Sequence, residues 1–221
     1  MGRRERGITL RNQYYADSRD VSKWSVIKEL AQQYQIQTVL QIAMLRPDEA
    51  NNHGAKTHKP KKCDDGINQF FEEERKEFQE HPERRKIERI EGLQKSAGLN
   101  FQVEVITDLF VSTGFGPFRA RYFSAACNKL SRLERPSIAF LDPDIGLEGT
   151  EVTGLHVTLR EMVKVFSVLR EGDIQVLYQH RYHDLLWLEK KVDAIRKEEI
   201  FRNKRIEHPS DGDVAFITIF K

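Results

Sequence analysis

The feature that most constrains the fold of this chain is an apolar run that ends abruptly in acids, residues 138–148, Ile-Ala-Phe-Leu-Asp-Pro-Asp-Ile-Gly-Leu-Glu. An unbroken apolar run between turn residues is typical of a strand buried on both faces, as in a parallel sheet. Pro143 has no N–H to donate to a neighbouring strand, so we expect the strand to end at Asp142. Asp142 and Asp144 would then lie where open α/β sheets bind their ligands, although such acids can also form a simple polar turn.

Strand-like and helix-like segments alternate along the rest of the chain. Thr158 and Glu161 have the spacing of a capping box, which predicts a helix that joins strand 138–142 to a parallel neighbour at 174–180. Asp20 is the expected N-cap of the first helix. The alternation predicts an α/β fold, a doubly wound and mostly parallel sheet with helices on both faces. The other predicted strands are 37–45, 101–110 and 214–220, and the other predicted helices are 66–90, 119–133 and 185–200.

The chain length of 221 residues suits one domain. We expect residues 1–13 to form a basic N-terminal arm and residues 14–221 to form a single α/β domain. A basic loop and a long charged helix, broken at Pro82, would be inserted at about 51–92.

Composition narrows the class of protein and its compartment. Apolar residues make up 39% and charged residues 32%, and no run approaches the roughly 18 apolar residues that span a bilayer. The charged N-terminus has no apolar segment behind it, unlike a secretory signal. Cys63 and Cys127 lie far apart and lack the spacing of a zinc site. We therefore expect a cytoplasmic protein without a membrane segment.

Positive charge is local rather than general, because the net charge is only +2. A segment that we call the basic loop, residues 53–62, contains four lysines and no acid. Such a patch could contact phosphates, although charged runs are often simply solvated. A nucleic acid or nucleotide is therefore the expected partner. The lysines are Lys56, Lys59, Lys61 and Lys62.

Three polar blocks fall at the edges of predicted elements. Because strands 138–142 and 174–180 are expected to be parallel, His180 and Asp142 should emerge on the same edge of the sheet. His180 could act as a general base, a metal ligand or a hydrogen-bonding group, or could only satisfy a neighbouring loop. The blocks are Asp17, Arg19, Asp20 and Lys23, then Asp142, Asp144 and Glu148, then Tyr178, Gln179 and His180.

These blocks resemble an uncharacterised bacterial family. Its pattern is roughly D-x-x-D-x-x-K-[WY], then F-[FL]-D-P-D-x-G-[IL]-E, then Y-Q-H, and this chain matches it at residues 17–24, 140–148 and 178–180. The match covers three short blocks spread over most of the chain.

At longer range the order is similar to class I S-adenosylmethionine-dependent methyltransferases that act on nucleic acid. The resemblance implies that Asp142 accepts a hydrogen bond from the amino group to be methylated and that Lys23 contacts cofactor or substrate. From the three blocks and this resemblance together, we expect Asp142, Asp144, His180 and Lys23 to be catalytic, and Asp17, Asp20 and Lys23 to bind the cofactor. Substrate binding would fall to Tyr15, Arg19, Tyr178, Gln179, Lys56 and Lys59.

The chain departs from the methyltransferase pattern after its first predicted strand. Such enzymes carry a glycine-rich turn there so that the backbone can approach the cofactor closely. Here the strand is followed by Arg46, Pro47 and Asp48, and the nearest glycine is Gly54.

Two other functions fit the same residues. Asp142, Asp144 and Glu148 could hold Mg²⁺, with Lys23 or Arg19 stabilising a phosphoryl group, as in a nuclease or nucleotide phosphodiesterase. Alternatively, the chain could be a non-catalytic nucleic-acid-binding module that uses the basic loop as its contact surface.

Overall fold

The computed structural model describes residues 11–48, 63–110, 116–149, 153–181, 186–211 and 213–221. Its helices are α1 (Ser18–Gln33), α2 (Asp65–Glu80), α3 (Leu93–Ser96), α4 (Pro117–Leu130), α5 (Leu159–Val168) and α6 (Trp187–Lys197). Its strands are β1 (Thr38–Ile42), β2 (Gln102–Ile106), β3 (Ser137–Leu141), β4 (Gly146–Leu147), β5 (His156–Val157), β6 (Ile174–His180), β7 (Ile206–Glu207), β8 (Ser210–Asp211) and β9 (Val214–Phe220).

The central sheet has the order β2-β1-β3-β6-β9-β7, with β8 also paired to β9. Strands β2, β1, β3 and β6 are parallel, whereas β9 is antiparallel to its three partners β6, β7 and β8. Between β3 and β6 the chain forms α5, which begins at the capping box of Thr158 and Glu161. The predicted mostly parallel sheet and the predicted pairing of β3 with β6 are both confirmed.

Alternating side chains of the sheet enter two separate hydrophobic clusters. In β3, Ile138 and Phe140 pack with residues of α1 and α2, while Ala139 and Leu141 pack with residues of α4, α5 and α6. Trp24 of α1 lies edge-on to Phe140, with ring centroids 6.2 Å apart. Helices therefore cover both faces, and the apolar run 138–141 is continuous because each face of β3 is buried.

The strand order creates a topological switch point between β1 and β3. From β1 the chain crosses to β2 on one side, then returns to place β3 on the other side of β1. In sheets of this kind the loops that leave the carboxyl ends of two such strands run apart, and ligands bind in the crevice between those loops.

Helix α1 begins earlier than predicted, because Asp17 and not Asp20 is its N-cap. The Asp17 carboxylate accepts the N–H groups of Arg19 at 2.8 Å and Asp20 at 3.2 Å. The Asp20 carboxylate instead accepts the N–H of Ala16 at 2.9 Å. Two acids three residues apart thus satisfy donors on both sides of the helix start.

The described part of the predicted insertion consists of the 16-residue helix α2 and the short helical segments that follow it. Helix α2 ends before Pro82, as expected for a residue without an N–H, and 3₁₀ turns follow at Pro82–Arg84 and Ile87–Gly92. The basic loop and residues 1–10 of the predicted arm lie outside the described residues. Of the arm, Arg11 is buried and the N–H of Gln13 donates to Asp48 at 3.1 Å. Within the described ranges, no helix has both the length and the apolar character needed to cross a membrane.

Candidate functional site

The crevice at the switch point is bordered by three parts of the chain. The loop 43–48 follows β1, the loop 142–145 follows β3, and the first turns of α1 lie beside them. Residues of two of the three predicted blocks, those containing Lys23 and Asp142, meet here, and Tyr178 of the third lies against Lys23.

Lys23 and Asp142 form a buried ion pair at the end of β3. The Lys23 Nζ lies 3.0 Å from both oxygens of Asp142 and donates to Oδ2, which also accepts Gln41 Nε2 at 2.8 Å. Nζ is also 3.3 Å from Asp20 Oδ1 and 4.6 Å from the centroid of the Tyr178 ring. Three residues, Asp142, Asp20 and Tyr178, thus fix the ammonium group, and Gln41 adds a second donor to the Asp142 carboxylate.

Burial and charge act in opposite directions on this pair. Burial alone would lower the pKa of Lys23, but the carboxylates of Asp142 and Asp20 raise that pKa above its ordinary value. Burial raises the pKa of Asp142, and the ammonium of Lys23 offsets part of that increase. Lys23 is therefore held as a cation in a site from which water is excluded.

Asp144 is a buried acid whose oxygens have no hydrogen-bond donor among the residues that the structure describes. Its exposed fraction is 6%. Burial raises the pKa of Asp144 well above the usual range, and Arg46, which follows β1, counteracts this. A buried carboxyl without a donor is costly, so Asp144 is notable among the described residues at the switch point.

The loop after β1 makes its tight turn without glycine. Met44 has φ +45°, in the left-handed region that favours glycine. Its N–H donates to the Tyr122 hydroxyl at 3.0 Å, and the carbonyl of Leu45 accepts the N–H of Phe110 at 2.5 Å. This loop therefore lacks the glycine that methyltransferases carry after the first strand. Its backbone at Met44 nevertheless adopts the left-handed conformation that glycine favours.

The remaining residues of the first block lie close to the pair without all facing the crevice. Asp17 is buried in its capping role, and burial together with the charge of Asp20 raises its pKa to about 6. Arg19 extends to Asp213 at 3.3 Å on the surface. The Tyr15 ring packs against Phe71 and Phe78 in the core, 6.0 and 5.8 Å between centroids.

In the third block, Gln179 makes all of its hydrogen bonds to backbone groups. Its Oε1 accepts the N–H of Leu147 at 2.7 Å, and its Nε2 donates to the carbonyls of Ile145 and His180 at 3.2 and 2.8 Å. A Cβ on Gly146 would lie 2.4 Å from the Gln179 amide. Gln179, predicted to bind substrate, thus holds the loop 145–147 against β6.

His180 ends β6 partly exposed, and its N–H donates to the carbonyl of Ile145 at 3.0 Å. Its ring lies 4.9 Å from the Tyr178 ring, edge to face. Both residues are therefore on the edge predicted from parallel pairing, with Tyr178 beside Lys23.

The acids of the metal hypothesis have separate roles. Across the described residues, no three His, Cys, Asp or Glu side chains come close enough together to hold a metal ion. Asp142 is paired with Lys23, and Glu148 accepts the N–H of Leu159 at 2.8 Å. The structure thus gives no support to the predicted Mg²⁺ site at Asp142, Asp144 and Glu148.

Two predicted substrate-binding lysines cannot be placed, and two residues that contact the site were not predicted. Lys56 and Lys59 lie outside the described residues. Gln41 was missed, although a single amide in the apolar segment 38–45 is a signal for a buried polar contact. Tyr122 carries no comparable signal, because its position in α4 matches an ordinary apolar stripe.

Comparison with known proteins gives only distant likenesses. No protein-family model matches the chain, and no curated protein matches it. The chain is similar to a DUF574 family protein from Streptomyces avermitilis, with 12% identity, 92% of this chain and 83% of that chain covered, and a TM-score of 0.41. It is also similar to a protein assigned as a caffeoyl-CoA O-methyltransferase from Staphylococcus aureus, with 9% identity, 90% and 83% covered, and a TM-score of 0.36. At these scores neither likeness carries an argument, and the fold assignment rests on the sheet itself.

Proposed function

We propose that this protein is an S-adenosylmethionine-dependent methyltransferase that acts on an amino group of a nucleic acid. The observation that carries the proposal is the buried, unsatisfied carboxyl of Asp144 at the switch point, beside the anchored carboxylate of Asp142. The resemblance of the sequence blocks to nucleic-acid methyltransferases supports the same conclusion.

The residues at the crevice fit the amino-acid part of this cofactor. Asp144 offers two acceptor oxygens without donors among the described residues, and Arg46 provides a positive charge close enough to affect Asp144. An ammonium on the ligand would donate to Asp144 and oppose the burial that raises the pKa of this acid, and a carboxylate on the same ligand would complement Arg46. When bound, S-adenosylmethionine supplies an electrophilic methyl group. Asp144 and Arg46 would hold it, and the turn at Met44 would let the backbone approach it.

Asp142 would orient the group to be methylated. Its Oδ2 is held by Lys23 and Gln41, and its Oδ1 makes no hydrogen bond among the described residues. That oxygen would accept an N–H of the substrate amino group and so direct the nitrogen lone pair. Lys23 would act through Asp142, because its ammonium offsets part of the burial that raises the pKa of that carboxyl and holds the group in place.

The proposal of a nucleic-acid substrate rests on the basic loop and on the family resemblance. Four lysines without an acid would attract a phosphate backbone. A flat base extruded from its stack is a substrate that such a crevice would accommodate.

The cofactor assignment is tested by calorimetric titration with S-adenosylmethionine and, separately, with Mg²⁺. We expect the wild-type protein to bind S-adenosylmethionine without metal. Asp144→Asn should weaken binding by roughly 10- to 100-fold, because a hydrogen bond to a charged group contributes about 1.5–3 kcal/mol. The control Asp193→Asn, at an exposed position of α6, should bind like the wild type.

Methyl transfer is then measured with mixed DNA and RNA oligonucleotides. Asp142→Asn should reduce the transfer rate much more than it reduces cofactor affinity. A wild-type protein that ignores S-adenosylmethionine but binds nucleic acid would replace the proposal with the non-catalytic module. Binding of Mg²⁺ alone would revive the phosphodiesterase.

A further inference from the structure

The turn after β1 depends on a contact from helix α4, which packs in the same hydrophobic cluster as Met44. Met44 adopts φ +45° without the conformational freedom of glycine, and its buried N–H has one acceptor, the hydroxyl of Tyr122. Tyr122 comes from α4, 78 residues further along the chain. The hydroxyl therefore satisfies a donor that the left-handed turn would otherwise leave buried and unpaired.

The position of Tyr122 is itself tightly set. Its ring packs edge-on against Phe110 at 5.0 Å and against Phe123 at 5.4 Å between centroids. Phe110 also donates its N–H to Leu45, the residue after Met44. Tyr122 and Phe110 thus form hydrogen bonds with two successive residues of the turn, Met44 and Leu45.

The turn in question borders the proposed cofactor crevice. The N–H of Asp142 donates to the carbonyl of Ile42 at 3.1 Å, so the ends of β1 and β3 are joined just before the turn. Arg46 follows the turn directly and acts on the pKa of Asp144. A change in the backbone at Met44 would therefore move the residues that face Asp144.

We propose that Tyr122 is a positioning residue for cofactor binding, which holds the Met44 turn in the conformation that a glycine would adopt unaided. The inference rests on the proposed function, because the ligand of the crevice is taken to be S-adenosylmethionine. It goes further because it names the group that stabilises the left-handed turn in the absence of glycine, the hydroxyl of Tyr122 in α4. Tyr122 does not touch the ligand and acts through the backbone of residues 43–46.

The test combines two substitutions and a matched control. Tyr122→Phe removes only the hydroxyl, and Met44→Gly lets the turn form without strain. The control is Tyr34→Phe. Tyr34 lies at the end of α1, and its hydroxyl accepts a hydrogen bond from Arg205. Affinity for S-adenosylmethionine is measured by calorimetry for the three single variants, the double variant and the wild type.

We expect Tyr122→Phe to weaken binding by about 3- to 10-fold, the effect of one lost hydrogen bond, and Tyr34→Phe to change nothing. The double variant Tyr122→Phe/Met44→Gly should bind more tightly than Tyr122→Phe but less tightly than Met44→Gly, since glycine removes the strain at φ +45° but keeps an N–H that still lacks its acceptor. A purely structural role for Tyr122 would give no such rescue. An unchanged affinity in Tyr122→Phe, or a double variant as weak as Tyr122→Phe, would overturn the proposal.

Amide hydrogen exchange separates this inference from the proposed function. In wild-type protein the Met44 amide should be protected, and Tyr122→Phe should speed its exchange by about 10-fold or more. If the wild type does not bind S-adenosylmethionine, the proposed function fails, while fast exchange in Tyr122→Phe would still show the turn being held. An unprotected Met44 amide in the wild type would sink the inference even if Tyr122→Phe does not fold.

Discussion

Lys23 and Asp142 are 119 residues apart in the chain, yet Lys23 Nζ lies 3.0 Å from Asp142 Oδ2. Their side chains are 6% and 1% exposed. This contact fixes the start of α1 against the end of β3, the two segments that border the crevice at the switch point. Removing one partner leaves the other as a buried charge with too few neighbours.

Replacing Lys23 with Met should therefore destabilise the protein strongly. We expect a loss of about 3–5 kcal/mol in the free energy of unfolding, measured by urea denaturation at pH 7. The control is Lys28→Met in the same helix, whose partner Asp64 is 2.8 Å away and has a side chain that is 31% exposed. That pair should contribute about 1 kcal/mol or less. Equal losses for the two variants would contradict the central place given to the buried pair.

Gly146 should not tolerate any larger residue. Its φ is +124°, and an added Cβ would lie 2.4 Å from the Gln179 side chain. We expect Gly146→Ala to cost about 2–5 kcal/mol through backbone strain and overpacking together. Gly149→Ala is the control, because a Cβ there meets nothing within 4 Å. In the double variant with Gln179→Ala, the part of the stability loss that comes from the steric clash should disappear. A complete recovery of stability would show that φ at Gly146 is unimportant.

Asp17 should make stability depend on pH in an unusual direction for an N-cap acid. Burial and Asp20 raise the pKa of Asp17 from 3.8 to about 6. Because the folded chain then binds the proton more tightly than the unfolded chain, this group makes stability fall as pH rises from about 4 to about 6. Above that range the contribution stays constant.

Asp17→Asn removes this titration and keeps a residue that caps well. Relative to the wild type, the variant should gain about 1–3 kcal/mol in free energy of unfolding between pH 4 and pH 7, because one pKa unit corresponds to 1.36 kcal/mol. Denaturation curves at several pH values measure the difference. A difference that does not change with pH would mean that Asp17 titrates normally.

The basic loop should govern the salt dependence of nucleic-acid binding. Each phosphate contact contributes a slope of about −0.9 on duplex DNA, so replacing four lysines with Gln should flatten the slope by up to roughly four such units. Thermal stability should not change. The replaced residues are Lys56, Lys59, Lys61 and Lys62.

The control for the loop is an equal number of exposed lysines elsewhere, changed to Gln in the same way. Their replacement removes the same number of positive charges as the loop variant, but it should leave the slope nearly unchanged. Slopes that are identical in the loop variant and the wild type would remove the loop from the site. The control lysines are Lys76, Lys86, Lys95 and Lys197.

Residues near one another in the chain explain which parts of the fold were predictable. The run 138–141 predicted a doubly buried strand, and the spacing of Thr158 and Glu161 predicted the start of α5, because both depend on neighbouring residues only. The N-cap of α1 was misplaced because Asp17 and Asp20 are equally good caps by type. The structure distinguishes the two acids because Ala16, at φ 72°, donates its N–H to the Asp20 carboxylate, which leaves Asp17 as the N-cap.

By itself the sequence determined the alternation of strands and helices, and with it the edge of the sheet at which Asp142, Asp144 and His180 emerge. Periodicity and turn residues carry that information locally, and parallel pairing does the rest. Only the tertiary structure decided that Asp142 is held by Lys23 and Gln41, that Gln179 supports a loop, and that Tyr122 completes the turn at Met44. These contacts join distant segments of the chain, so they exist only once the packed sheet and helices bring the groups within hydrogen-bonding distance.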